Sequence, residues 1–253
     1  MKRIFTILSQ KWPEFLLEII VITIGILGAF ALNSWNENRK DRIKEQQVIG
    51  QLISDYESNL AQLEEKMAMR ESMIKAARSY LNAIDNPEEA NHDSLASYLA
   101  LMILDPTYEP ISNDLISSGN IRLIKNDTLR LLLSNWSSVI GEVLEMEFIW
   151  QKTVYEQLDP HLNEIGLGRN VINRLLGGLD QAAYLLESSS NVNVSIGDSK
   201  NVPSLEEISR DTYLEGLASL CISYNYISNI QSQALRKRIF EILELLNEEL
   251  QDK

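Results

Sequence analysis

The sequence predicts an all-α protein: one N-terminal transmembrane helix continuing into a long helix that packs in a helical bundle. Three observations carry this. Phe15 to Leu32, FLLEIIVITIGILGAFAL, is an almost uninterrupted apolar run. As a helix it spans roughly 27 Å at ~1.5 Å per residue, close to a hydrocarbon core of ~30 Å. From Ile49 to Ile84 apolar residues recur at alternating steps of four and three, the seam of a long helix. No stretch alternates polar and apolar residues for long, so no substantial sheet is expected. The chain then divides into a short basic flank (1–14), the transmembrane helix (15–34), a charged stalk (35–48) and an acidic helical-bundle domain (49–253).

Trp12 and Trp35 bracket the apolar run as interfacial anchors, ~35 Å apart along a helix, which matches two headgroup belts. Pro13 suits a first helical turn, where a missing N–H costs nothing. Glu18 is the one ionisable group in the run. At 3.6 residues per turn Glu18, Ile22, Gly25 and Ala29 fall on one stripe. Gly25 and Ala29 make a small-xxx-small pair that lets two membrane helices approach closely, with Glu18 pairing across the contact. The plainer alternative is a Glu18 that reaches the headgroups and glycines of no special use. A cleavable signal peptide is the rival to an anchor, since Ala29-Phe30-Ala31 resembles a cleavage site. The run is longer than the usual ~7–15 residues and carries Glu18, which favours an anchor. Lys2, Arg3 and Lys11 on one side and Arg39, Lys40, Arg42 and Lys44 on the other nearly balance. Large domains translocate largely regardless of flanking charge, so the body is expected outside the cytoplasm.

Within the seam, Ile49, Ile53, Tyr56, Leu60, Leu63 and Met67 are followed by Arg70, the only break, before Ile74, Ala77, Leu81 and Ile84. The seam fits either a coiled coil between protomers or the first helix of an intrachain bundle; later helices that need a partner surface favour the bundle. Asp85 to Asp93 reads as a loop around Asn86-Pro87. Ser94 to Leu104 reads as a short helix ended by Asp105-Pro106, and Pro110 to Ser118 as another with Gly119 just past its end. Asn126 or Asp127 caps a long helix that Asp159-Pro160 stops near Leu158. Residues 161–187 read as two short helices separated by Gly177-Gly178, and 188–203 as an exposed loop. Ser204-Leu205-Glu206-Glu207 is a capping box opening the last helix. Its expected inward residues are Leu217, Leu220, Cys221, Tyr224, Ile227, Leu235, Ile239, Ile242 and Leu246.

The net charge is −13, from 23 basic and 36 acidic residues. Residues 1–34 hold three basic and two acidic groups, so the rest carries 20 against 34, or −14. So acidic a body argues against nucleic acid as a partner, which needs a concentrated basic surface. Cys221 stands alone, leaving no intrachain disulfide or thiolate metal cluster. His92 and His161 lack second ligands at metal spacing. Gly166-Leu167-Gly168 has no preceding strand, and Ser188-Ser189-Ser190 no nucleophile elbow. Glu142, Glu145 and Glu147 read as a solvated helix face. No catalytic residue, metal ligand or cofactor site is assigned, and an enzyme is not expected.

Two segments, GILGAFALNSWNENRKDRIKEQQ and YEPISNDLISSGNIRLIKNDTLRLLLSNW, resemble the bacterial domain-of-unknown-function family six-zero-nine-zero. Asn33-Ser34-Trp35-Asn36-Glu37 carries the membrane exit, and Ser118-Gly119-Asn120-Ile121 with Leu123-Ile124-Lys125-Asn126 the internal motif. The resemblance implies a bacterial inner-membrane protein with one membrane helix and a helical soluble domain; it brings no established activity. Physically the internal motif reads as a structural corner, with Gly119 ending one helix and Asn126 or Asp127 capping the next. The functional alternative is a small-ligand corner lined by Glu109, Asp114, Ser118, Gly119, Asn120 and Arg122. The leading expectation is a non-enzymatic integral membrane protein whose helical domain binds a protein partner or itself. The alternatives are an extracytoplasmic small-ligand sensor relaying through a partner and, third, a hydrolytic enzyme.

Overall fold

The apolar run and the heptad seam form a single helix. In the computed structural model, which describes residues 2–111, 119–177 and 195–251, α1 spans Lys2–Asp85, 84 residues without a break. Its length is roughly 125 Å. The stalk is therefore helical and continuous with the apolar run. Pro13 lies inside α1 rather than in its first turn. A proline removes one backbone donor and crowds the carbonyl four residues back, which weakens a helix without obliging it to start there. From Phe15 the helix carries a stretch of mean hydropathy 2.6, none of it buried, long and apolar enough to cross a membrane.

Beyond the stalk, α1 is the spine of a bundle. The turn at 86–91 leads to α2 (His92–Met102), whose N-cap is Asn91, its side chain accepting from the Ser94 N–H at 2.8 Å. An extended strap, 104–111, then runs back along α1. The helix expected over Pro110–Ser118 falls outside the described residues from Ser112 onward; Pro110 and Ile111 belong to the strap. After a 3₁₀ turn (Asn120–Leu123) comes α3 (Asp127–Thr153), capped by the Asn126 side chain on the Leu129 N–H at 3.1 Å.

α3 does not stop at Asp159-Pro160. A π turn, Val154–Leu158, carries it into α4 (Asp159–Glu164). The Asp159 N–H bonds the Val154 carbonyl five residues back, and this widened turn relieves the clash between a proline ring and the carbonyl at i−4. Gly166, at φ +83°, then ends the helix. Its N–H bonds the Asn163 carbonyl and that of Leu167 bonds the Leu162 carbonyl at 2.9 Å, a Schellman closure with Leu162 and Leu167 buried together.

α5 (Gly168–Gly177) follows, and after 178–194, outside the described residues, the chain is extended over 195–199. The capping box at Ser204 and Glu207 forms, but it opens only a short helix, α6 (Leu205–Ser209). The last helix, α7 (Thr212–Gln251), starts afresh at Asp211, whose carboxylate accepts the N–H groups of Tyr213 and Leu214. A second cap so close to the first lets the chain turn between two helices.

α7 returns antiparallel to α1. Arg236 pairs with Glu64 at 2.6 Å, Asn229 donates to the Met67 carbonyl, and Gln46 in the stalk donates to the Glu249 carbonyl at 3.1 Å. α3 runs antiparallel to α7 in turn, with Asn126 on Glu249 at one end and Tyr213 on Gln157 at the other. The basal end, where the apolar segment leaves, thus gathers the stalk, the start of α3 and the end of α7.

The core has two parts. A basal cluster joins Ile49, Leu52, Tyr56 and Leu63 of α1 to Leu129, Leu133 and Trp136 of α3 and to Leu235, Ile239 and Leu246 of α7. A distal cluster joins Met73, Ala77 and Tyr80 to α2, to Trp150, Leu158 and Leu162, and to Leu217 and Cys221 of α7. The seam of α1 packs within its own chain, with Ile49, Tyr56, Leu63, Arg70, Ile74, Ala77 and Ile84 buried and Ile53, Leu60, Met67 and Leu81 half-buried. Its buried stripe is wider than the seam, taking in Leu52, Met69, Met73 and Tyr80, because helices cover it from several sides. Ile227, expected inward, is exposed, whereas Asn225, Ser228 and Ser232 are buried.

Candidate functional site

The break in the seam is the centre of the molecule's polar architecture. Arg70 is fully buried between the two apolar clusters, where an unpaired guanidinium is untenable. One of its terminal nitrogens binds Glu147 and the Pro106 carbonyl; the other donates to Ser232 Oγ at 2.8 Å and Asn229 Oδ1 at 3.3 Å. Burial pulls the guanidinium down to about 10, so it stays charged at neutral pH. Glu147 is 5 % exposed, and its second oxygen accepts the Tyr108 N–H at 2.9 Å. The expectation of a solvated acidic face therefore holds for Glu142 and Glu145, which are exposed, and fails for Glu147. Glu147 turns inward because Arg70 needs a counter-charge. Ser232 and Asn229 of α7 turn toward Arg70 for the same cause.

This node also fastens the strap. Pro106 and Tyr108 attach to it, the Glu109 N–H donates to Gln62 at 2.9 Å, and Asn59 grips Ile111 from both sides. The Ile111 N–H donates to Asn59 Oδ1 at 2.6 Å while Asn59 Nδ2 donates to the Ile111 carbonyl at 3.2 Å, one side chain standing in for a neighbouring strand. Tyr108 is fully buried, and desolvation pushes its phenol well above its ordinary value.

A second polar junction lies at the base. Glu45, 1 % exposed, accepts from Arg42 at 2.8 Å and from the Lys125 N–H at 3.2 Å, with Lys125 Nζ at 3.8 Å. The two segments on which the family resemblance rests therefore lie against each other. Gly119, at φ +73°, takes the left-handed conformation that starts the 3₁₀ turn.

Of the candidate ligand corner, Asp114 and Ser118 lie outside the described residues, and Glu109, Gly119, Asn120 and Arg122 are exposed. Glu109 sits at the level of Gln62 and the 119–125 turn near that of Glu45. Those levels are roughly 25 Å apart along α1. The structure does not draw Glu109 and Arg122 into one pocket. A polar cleft of about 320 Å³ lies instead at the distal end, lined by Arg78, Ser79, Asn82, Asn86, Ser94 and Tyr98 among others.

On the apolar segment, Glu18, Ile22, Gly25 and Ala29 all face outward, and a Cβ added at Gly25 would meet nothing within 4 Å. Trp12 and Trp35 are exposed at its two ends. His92 bonds the Pro203 carbonyl at 2.9 Å, and His161 bonds Asp211 at 2.6 Å with the Tyr213 ring edge-on. Comparison with protein-family models, curated proteins and solved structures finds no match for the chain.

Proposed function

We propose that this chain is a non-enzymatic, single-pass protein of a bacterial inner membrane, of the six-zero-nine-zero kind it resembles, whose acidic helical body engages a protein partner or a second copy outside the cytoplasm. One observation carries the reading: the exposed apolar segment and the spine of the body are the same unbroken helix. Apolar side chains such as Leu17, Val21, Ile24 and Phe30 lie bare on every side of that segment, a cost in water that lipid removes. The outward stripe of Glu18, Ile22, Gly25 and Ala29 supplies a surface for a second membrane helix. With no flexible joint at the stalk, a shift or rotation of the anchor is carried into the bundle along α1.

The test has two parts, in membranes from cells making the full chain. The chain should stay in the pellet after an alkaline carbonate wash, and a reporter active only outside the cytoplasm, fused after Lys253, should be active. Release by carbonate would refute the anchor; a reporter silent outside and active inside would reverse the orientation.

A further inference from the structure

Over two turns α7 is inside out. Asn225, Ser228 and Ser232 point into the bundle while Tyr226, Ile227 and Ile230 point away, at 56, 38 and 51 % exposure. Of the inward polar groups Ser232 answers to Arg70, with the half-buried Asn229 beside it, while Asn225 donates to the Cys221 carbonyl at 2.8 Å. Among the described residues, nothing answers to the outward apolar ones. The inversion sits in a longer anomaly: from Gly216 to Leu235 there is no charged residue, in a chain that is 23 % charged. The outward positions Gly216, Ser219, Ser223, Tyr226, Ile230 and Gln233 step by three and four and are all exposed. Gly216 adds a second oddity. It lies inside a helix, where glycine costs roughly 0.5–1 kcal/mol against alanine, yet a Cβ there would meet nothing within 4 Å.

We propose that this face of α7 is a self-association surface, and that its occupant is the same face of a second copy packed in parallel. Charge selects the occupant. A basic partner would be drawn to the acidic faces, whereas this strip offers it nothing to pair with. Two bodies each near −14 repel one another wherever charge lies, and the neutral strip is where they meet at least cost. Steps of three and four along an uncharged seam, small at Gly216, Ser219 and Ser223 and larger from Tyr226 to Gln233, suit a helix of like spacing. The cores of protein interfaces are likewise depleted in charge and enriched in tyrosine. The proposal rests on the anchored reading for its orientation. Two chains held in one bilayer present α7 in the same direction and at raised effective concentration, as a two-fold axis normal to the membrane requires.

Cysteine cross-linking of the full chain in membranes tests this. The native Cys221 is fully buried and supplies little background. With copper phenanthroline as oxidant, S223C and I230C should each give a band at twice the chain mass, and E57C on α1 and S138C on α3, both exposed, should give none. Ile230→Glu placed in the S223C chain should abolish its band while leaving the helical circular dichroism unchanged. Equal cross-linking at all four positions, or none at S223C and I230C, would overturn the proposal. A carbonate wash of the same samples separates the two readings. Chain retained without a specific cross-link loses the dimer and keeps the anchor; chain released but cross-linked at S223C and I230C loses the anchor and keeps the dimer.

Discussion

Removing the carboxylate of Glu147 is the severest single test of the polar node. Glu147→Ala leaves a fully buried Arg70 with only neutral acceptors: Ser232 at 2.8 Å, Asn229 at 3.3 Å and the Pro106 carbonyl at 3.3 Å. Breaking one side of a buried ion pair costs about 3–5 kcal/mol. The Tyr108 N–H also loses its acceptor, a loss of about 1–3 kcal/mol that overlaps with the first because both belong to one network. A total near ~4 kcal/mol is expected. With a urea slope of about 2 kcal/mol/M, the midpoint of the full chain in detergent micelles should fall by about 2 M, read by far-UV circular dichroism. The double variant R70M/E147M removes both charges and keeps apolar volume, so it should recover most of the loss, because a buried pair is often no better than apolar packing. A loss below about 1 kcal/mol for Glu147→Ala, or a double variant no more stable than the worse single, would refute this account of the node.

Three further outcomes follow from local geometry. Asn126→Ala removes the cap on the Leu129 N–H and the contact with Glu249, and should cost about 1 kcal/mol in the same denaturation. Gly166→Ala forces φ +83° on an L-residue with the Asn201 carbonyl 3.1 Å from the new Cβ; it should cost at least about 1–2 kcal/mol, whereas Gly216→Ala should not destabilise the isolated fold. Cys221 is buried and its thiol is pushed far up by desolvation, so maleimide at pH 8 should leave it unlabelled in the native chain and label it fully in denaturant; rapid native labelling would place it at the surface.

Much of this architecture was legible in the residues. The apolar run, the seam of α1, the Asn126 cap and the absence of alternating patterns pointed to an all-α bundle on a long first helix. What periodicity could not give was the pairing of charges across the sequence. Arg70 was visible as a break, but its partner lies 77 residues away and looks, in its own helix, like one glutamate among several. Ile227 is a related case: hydropathy points it inward, whereas the stretch around it turns Ser232 to Arg70 and Asn225 to the Cys221 carbonyl. Pro160 and the capping box at Ser204 were read as a stop and a start. The π turn at 154–158 absorbs the proline through a widened backbone bond, and the Asp211 carboxylate starts a second helix just past the first. Of the candidate ligand corner, Asp114 and Ser118 lie outside the described residues, while Glu109 and Arg122 stand at different levels of the bundle.

The continuity of α1 is the claim that joins the apolar segment to the helical body. Spin labels at Leu32 and Glu57, both exposed, measure it directly in chain reconstituted into bilayers and diluted with unlabelled protein. They are 25 residues apart in the sequence, so a continuous helix predicts a single narrow distance of about 38 Å between the labelled backbone positions. A broad distribution, or a peak well below that length, would mean a joint at the stalk and would contradict the account.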